Sequence, residues 1–145
     1  MTRVLGDDWL LPMLDESNRA WFAEGRVAFQ ACTGCGAFQH PPDAVCAGCQ
    51  GTDLELREVP GEGRIESAIV VHRASHPALR SAVPYAVVLV SLDGAPGVQV
   101  VGNVVGRPPA EVAIGQRVRV HLEEVVDPDG GTLRIPQWEI VAEAE

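Results

Sequence analysis

The chain has 145 residues, 46% of them hydrophobic, and a formal net charge of −9, which allows one packed domain or two small ones sharing an interface. So acidic a surface repels phosphate backbones and anionic membranes on average, while leaving room for a local basic patch. All eleven basic residues are arginine, and the absence of lysine excludes a Schiff-base aldolase, a pyridoxal-phosphate lysine and a P-loop lysine in this chain.

Residues 1–30 predict an N-terminal helical arm. Pro12 suits a helix start and Gly25 a helix end. Leu14, Trp21 and Phe22 fall on one side of such a helix, at i, i+7 and i+8. The first 25 residues hold no continuous apolar run, so no signal peptide is expected. The longest apolar stretch, 86–90, falls far short of the roughly 20 residues a membrane helix needs. The expected compartment is the cytoplasm, with no membrane partner, and there cysteines read as metal ligands before they read as disulfides.

Residues 31–56 are rich in Gly, Pro and Cys and cannot bury a core of their own, so a cross-link must hold them. Cys32-Thr-Gly-Cys35-Gly36 and Cys46-Ala-Gly-Cys49 are two C-x-x-C turns, each aiming two thiolates at a common point. Together they complete a tetrahedral sulfur cage of the kind zinc accepts. Gly36 can take the positive φ that turns backbone N–H groups toward the sulfurs, and Pro41-Pro42 stiffens the gap. Iron in the same cage, two disulfides or a redox C-x-x-C are the alternatives. A four-sulfur cage leaves no open position, so the metal is expected to be structural, and binding of roughly 10–16 kcal/mol in comparable peptides is what folds such a segment. His40, beside a filled cage, reads as a surface histidine.

Residues 57–145 predict an all-β domain. Ile65, Ile69 and Val71 alternate within 64–73, and 85–92 is a continuous apolar strand stopped by Asp93-Gly94. A third strand runs over 98–105, with Gly102 as a candidate bulge. In 117–123, Val118, Val120 and Leu122 point one way and Arg117, Arg119, His121 and Glu123 the other. A turn over 127–131 leads to a fifth strand at 132–140, part of it placed at an edge by Pro136. Five strands, with a short helix near 109–113 before the fourth, match an OB-fold barrel; the pattern also permits a small open sandwich. The fold class is thus mainly β: helical arm, rubredoxin-like zinc ribbon and C-terminal five-stranded barrel.

No G-x-S-x-G, H-E-x-x-H or glycine-rich phosphate loop occurs. His72, His76 and His121 are scattered, and His121 sits on a polar strand face, where solvent exposure is expected. One stretch differs from the acidic background. Between the first two barrel strands, His72, Arg73, His76 and Arg80 lie within nine residues with no acid among them. OB-folds use this loop for ligands, and arginines grip phosphates bidentately, so Arg73, His76 and Arg80 are candidate ligand-binding residues.

The ordered set of a short N-terminal arm, C-x-x-C-G, Pro-Pro, C-x-x-C, Gly61-x-Gly63, Pro84-Tyr85 and Ile114-Gly115-x-x-Val118 resembles the zinc-ribbon/OB-fold family called "domain of unknown function 35", also described as acyl-CoA-associated. The resemblance covers nearly the whole chain. It implies a small, non-catalytic accessory subunit that stabilises a thiolase-superfamily partner in a hetero-oligomer: a thiolase, an acyltransferase or a steroid side-chain retro-aldolase. It further implies zinc on Cys32, Cys35, Cys46 and Cys49, catalysis by the partner, and a CoA thioester at the shared interface. Trp9, Trp21 and Phe22 are the candidate partner anchors, because aromatics dominate interface energetics. Three other functions compete. Single-stranded nucleic-acid binding needs a basic groove and stacking aromatics, whereas the strands offer only Tyr85 and Trp138 and the charge is negative, so no nucleic-acid partner is expected. A rubredoxin-like electron carrier leaves the barrel unexplained, and an independent acyl-CoA hydratase or thioesterase has no visible catalytic set.

Overall fold

Valine-rich alternation and two C-x-x-C turns lead to two β-sheets in the computed structural model, which describes Gly6 and residues 9–142. The remaining residues of the expected arm, 1–5 and 7–8, lie outside the described set. The ribbon sheet has three strands, β1 (Ala28–Cys32), β2 (Phe38–Gln39) and β3 (Leu54–Glu58), in the order β2-β1-β3. The second sheet is a closed barrel of β4 (Glu62–Val71), β5 (Tyr85–Leu92), β6 (Gln99–Val105), β7 (Arg117–Val126) and β8 (Thr132–Ile140), in the order β4-β5-β6-β8-β7. Neighbours are antiparallel except β6 and β8, whose parallel pairing closes the barrel. A short 3₁₀ turn at Pro109–Glu111 precedes β7.

The arm carries one helical turn, α1 (Arg19–Phe22), rather than a helix from Pro12 to Gly25. Asp15 explains the late start. Its carboxylate accepts the N–H groups of Ser17 at 2.8 Å and Asn18 at 2.9 Å, and an acceptor in that place caps a turn and leaves the chain before it extended. The extended part lays Trp9, Leu11 and Leu14 onto Val125, Leu133 and Ile135 of the β7–β8 hairpin. None of the helices among the described residues is long and apolar enough to cross a membrane.

In β5 only alternate residues are buried: Ala86, Val88, Val90 and Leu92. The expected alternation fails in β4. Ile65 is 1% exposed but Ile69 is 59% exposed, because Glu66 is an extra residue between the Ile65–Val90 and Ser67–Leu89 pairs. Such a bulge shifts every later side chain to the opposite face. Gly102, the candidate bulge, instead sits in regular register opposite Val88. A Cβ there would lie 2.8 Å from Nε1 of Trp138, so glycine is required by the close approach of the indole.

β7 also changes its buried face. Val118 is buried as expected, but further along the buried residues are Glu123 and Val125. The hairpin continues past the barrel, and the arm covers its other side. Glu123 is 0% exposed and accepts from Nε2 of Gln137 at 3.3 Å. Oε1 of Gln137 accepts the Asn103 N–H at 2.9 Å, and Nδ2 of Asn103 donates to the Ala86 carbonyl at 2.9 Å. This polar rung ties four barrel strands together.

One core serves all three segments. Trp21 of the arm and Phe29 of the ribbon are buried with Ile65, Val88, Val90, Val118 and Trp138 of the barrel. The ribbon is therefore seated on the barrel by apolar packing as well as joined to it by the chain.

Candidate functional site

The two cysteine turns are built alike. Cys32 ends β1, and the N–H of Gly36, at φ 78°, returns to its carbonyl at 2.8 Å. In the second turn Gln50 plays the part of Gly36: its φ is 62°, and its N–H donates to the Cys46 carbonyl at 2.9 Å. The four Sγ atoms lie within 4.8 Å of one another, with Cys32–Cys49 and Cys35–Cys46 each 3.6 Å apart. A tetrahedron with Zn–S bonds of ~2.3 Å has edges of ~3.8 Å, so the cage has the size zinc requires.

Backbone donors prepare the sulfurs for that ion. The N–H groups of Cys49 and Gly48 lower the Cys46 thiol to about 6, and the Gly48 N–H stands 3.3 Å from its sulfur. The N–H groups of Cys35 and Gly34 lower Cys32 likewise. At Cys49 the Gly51 N–H pulls in the same direction, but the sulfurs of Cys32, Cys35 and Cys46 outweigh it and push the thiol up to about 11. Crowded thiols resist becoming the last thiolate, and a divalent cation removes that resistance. The donor set thus fits a closed, structural zinc site.

Two glutamines that composition gave no reason to single out hold the gap between the turns. Gln30 donates to the Asp43 carbonyl and accepts the Asp43 N–H, at 2.8 and 2.9 Å. Gln39 donates to the Val45 carbonyl and accepts the Ala47 N–H, at 3.1 and 2.8 Å. Their side chains replace the strand hydrogen bonds that Pro41 and Pro42 cannot make.

His40 is half-buried rather than fully exposed. Its ring packs 5.6 Å from that of Trp21 and 5.2 Å from that of Phe29, with Nδ1 buried and without a hydrogen-bond partner, and burial pushes its pKa down. With Trp21, Phe22, Pro41, Val101 and Pro136 it walls an apolar cleft of about 510 Å³ where arm, ribbon and barrel meet. His121, expected in solvent, is half-buried, with Nε2 buried and unpartnered in a small cavity beside Arg107 and Glu139.

The remaining candidates are dispersed. Arg73, His76 and Arg80 are exposed on the loop between β4 and β5, far in sequence from the cysteines. Trp9 is half-buried, its ring 6.2 Å from that of Tyr85. Phe22 is half-buried against the shared core. Trp21 is 8% exposed and stacks 5.2 Å from Phe29, so its indole is taken up by the chain's own core rather than held out for a partner.

Comparison with known proteins agrees with this geometry. A family model described as the rubredoxin-like zinc ribbon domain of ChsH2 matches residues 22–55, and one described as its C-terminal OB-fold domain matches residues 56–123. Among solved structures, a chain of the "Ltp2-ChsH2(DUF35) aldolase" is 33% identical, covers 90% of this chain and 98% of its own length, and superposes with a TM-score of 0.74. A DUF35-family protein of unknown function from Sulfolobus solfataricus is 11% identical over 81% of this chain and 78% of its own, with a TM-score of 0.52, and shares the fold alone. The "Probable enoyl-CoA hydratase alpha subunit" of Thermomonospora curvata is 36% identical over 110 residues, which is 74% of this chain. The present chain spans only 33% of the length of that curated relative. With both modules matched in order and one relative aligned over nearly its whole length, the chain belongs to the ChsH2-type DUF35 family of zinc-ribbon/OB-fold proteins.

Proposed function

We propose that this chain is a non-catalytic accessory subunit that binds a thiolase-superfamily enzyme in a cytoplasmic hetero-oligomer and helps form that enzyme's acyl-CoA site. The observation that carries this reading is the likeness along 98% of a chain that occurs in an assembly described as an aldolase. The partner's reaction is then a retro-aldol cleavage of an acyl-CoA thioester, a steroid side chain among the candidate substrates. The chain's own chemistry is consistent with a supporting role. Its four thiols are gathered in the zinc cage, and it has no lysine. Zinc on Cys32, Cys35, Cys46 and Cys49 fixes the ribbon, and Trp9 and Phe22 anchor the partner beside the outward-facing Leu10 and Met13.

The nucleic-acid alternative loses its stacking platform. Trp138 is 0% exposed, and Tyr85 is paired with Trp9.

The test is acyl-CoA cleavage by the partner alone, by this chain alone and by the two together. Cleavage that needs both chains, with none by this chain, is the expected result. Turnover by the isolated chain would remove the accessory role.

A further inference from the structure

We propose that the loop joining β4 and β5 is an anion grip, in which Arg73, His76 and Arg80 hold the phosphate-bearing end of the partner's acyl-CoA. The proposal deepens the accessory-subunit reading and rests on it for the identity of the ligand.

The chain has 20 carboxylate residues, yet none lies between Glu66 and Asp93. The charges within that stretch are Arg73 and Arg80. Six other arginines are committed to acids of the same chain, among them Arg26 to Glu58 at 3.0 Å, Arg57 to Glu55 at 2.7 Å, Arg107 to Glu111 at 3.0 Å and Arg119 to Glu139 at 3.1 Å. Arg117 pairs with Asp93 at 2.5 Å, and Arg134 with Glu124 at 3.5 Å. Arg73 and Arg80 are exposed and have no ion pair among the described residues. An anion arriving there displaces water and breaks no internal pair.

The loop is also shaped. A 3₁₀ turn at Pro77–Leu79 is closed by Leu79 N–H to His76 O at 3.0 Å and Arg80 N–H to Pro77 O at 3.2 Å, and Ala82 N–H returns to Leu79 O at 3.1 Å. Nδ1 of His76 accepts the Ala78 N–H at 3.1 Å. That bond selects the tautomer with the proton on Nε2, so the other ring nitrogen is a donor. Two guanidinium forks and an imidazole N–H, with no carboxylate beside them in the sequence, match an acceptor-rich dianion such as a phosphate.

The experiment is calorimetric titration of CoA, and of pantetheine as the analogue without phosphates, into the reconstituted complex. Wild type is compared with the double variant Arg73→Gln/Arg80→Gln. CoA binding is expected to weaken about 30-fold, the upper end for two solvent-exposed ion pairs, and to fall further as salt is raised. Pantetheine binding should not change, and the complex should elute intact from size exclusion. Unchanged CoA affinity in an intact complex would overturn the grip and leave the accessory role standing. A variant complex that falls apart would also overturn it, because the loop would then be holding an acidic protein surface. If no thiolase-type partner is found, pyrophosphate titrated into the chain alone separates the two ideas. Arginine-dependent binding keeps the grip without the partner reading, and no binding ends both.

Discussion

The ribbon and the barrel reach order by opposite routes. The ribbon has strands of five, two and five residues and two turns whose interior is sulfur. The barrel has strands of seven to ten residues that bury mainly valine, isoleucine, leucine and tryptophan. The barrel is held by burial of those side chains, whereas the ribbon is expected to need a metal to fix its turns. They are not independent, because Phe29 and Trp21 reach from the metal-dependent side into the barrel's core. A segment with little apolar surface of its own can therefore be specified by local ligand chemistry and still be positioned by a neighbour's core.

Metal removal should have the largest effect. Cys46→Ser, or a strong chelator, is expected to abolish amide protection across 28–58 while Val88, Val90 and Val118 stay protected; hydrogen exchange read by mass spectrometry makes the comparison. Simultaneous loss of protection in β5 would mean that the two regions fold as one unit. Acid should act in the same direction. The Cys46 thiol, lowered from 9.0 to about 6, favours the folded ribbon above its ordinary value, and that contribution disappears as pH falls through about 6. Zinc loss, followed with a chromogenic chelator, should therefore increase on acidification.

Trp21→Ala attacks the joint. It removes an indole packed on Phe29 and His40 and is expected to cost about 3–5 kcal/mol in a denaturant midpoint experiment. A loss below about 1 kcal/mol would show that the joint contributes little. Gly102→Ala is confined to the barrel. With its new Cβ 2.8 Å from the Trp138 indole, it should destabilise by about 1–3 kcal/mol and leave zinc content unchanged. Smallest is Asp93→Asn. The Arg117 guanidinium beside Asp93 holds its carboxyl below the usual range, so the pair stabilises the fold above the ordinary aspartate value and is lost as pH falls through the lowered one. Asp93 is 44% exposed, which limits the loss to about 0.5–1 kcal/mol. The thermal midpoint of the variant should depend less on pH below about 4.

What was legible in the sequence was local. The cage follows from spacing within two four-residue turns, and Gly36 adopts the positive φ expected of it. The barrel strands follow from runs of apolar residues. What was not legible depends on parts that meet only after folding. Glu66 carries no mark of a bulge, and its effect on Ile69 appears only in the register with β5. Glu123 reads as a polar-face residue, yet the folded hairpin buries it against Gln137. His40 reads as a surface residue until Trp21, from the preceding segment, closes over it. The stripe of Leu14, Trp21 and Phe22 suits a helix, yet Asp15 divides it into an extended part and a single turn. Capping by one side chain outweighed a sparse periodicity.

The central claim is that this chain works as part of an assembly. Native mass spectrometry of the complex isolated with the tagged chain from its own cell lysate tests it most directly. The account predicts a near-stoichiometric thiolase-fold subunit and one zinc ion per copy of this chain. The chain by itself, or carrying nucleic acid, would contradict it.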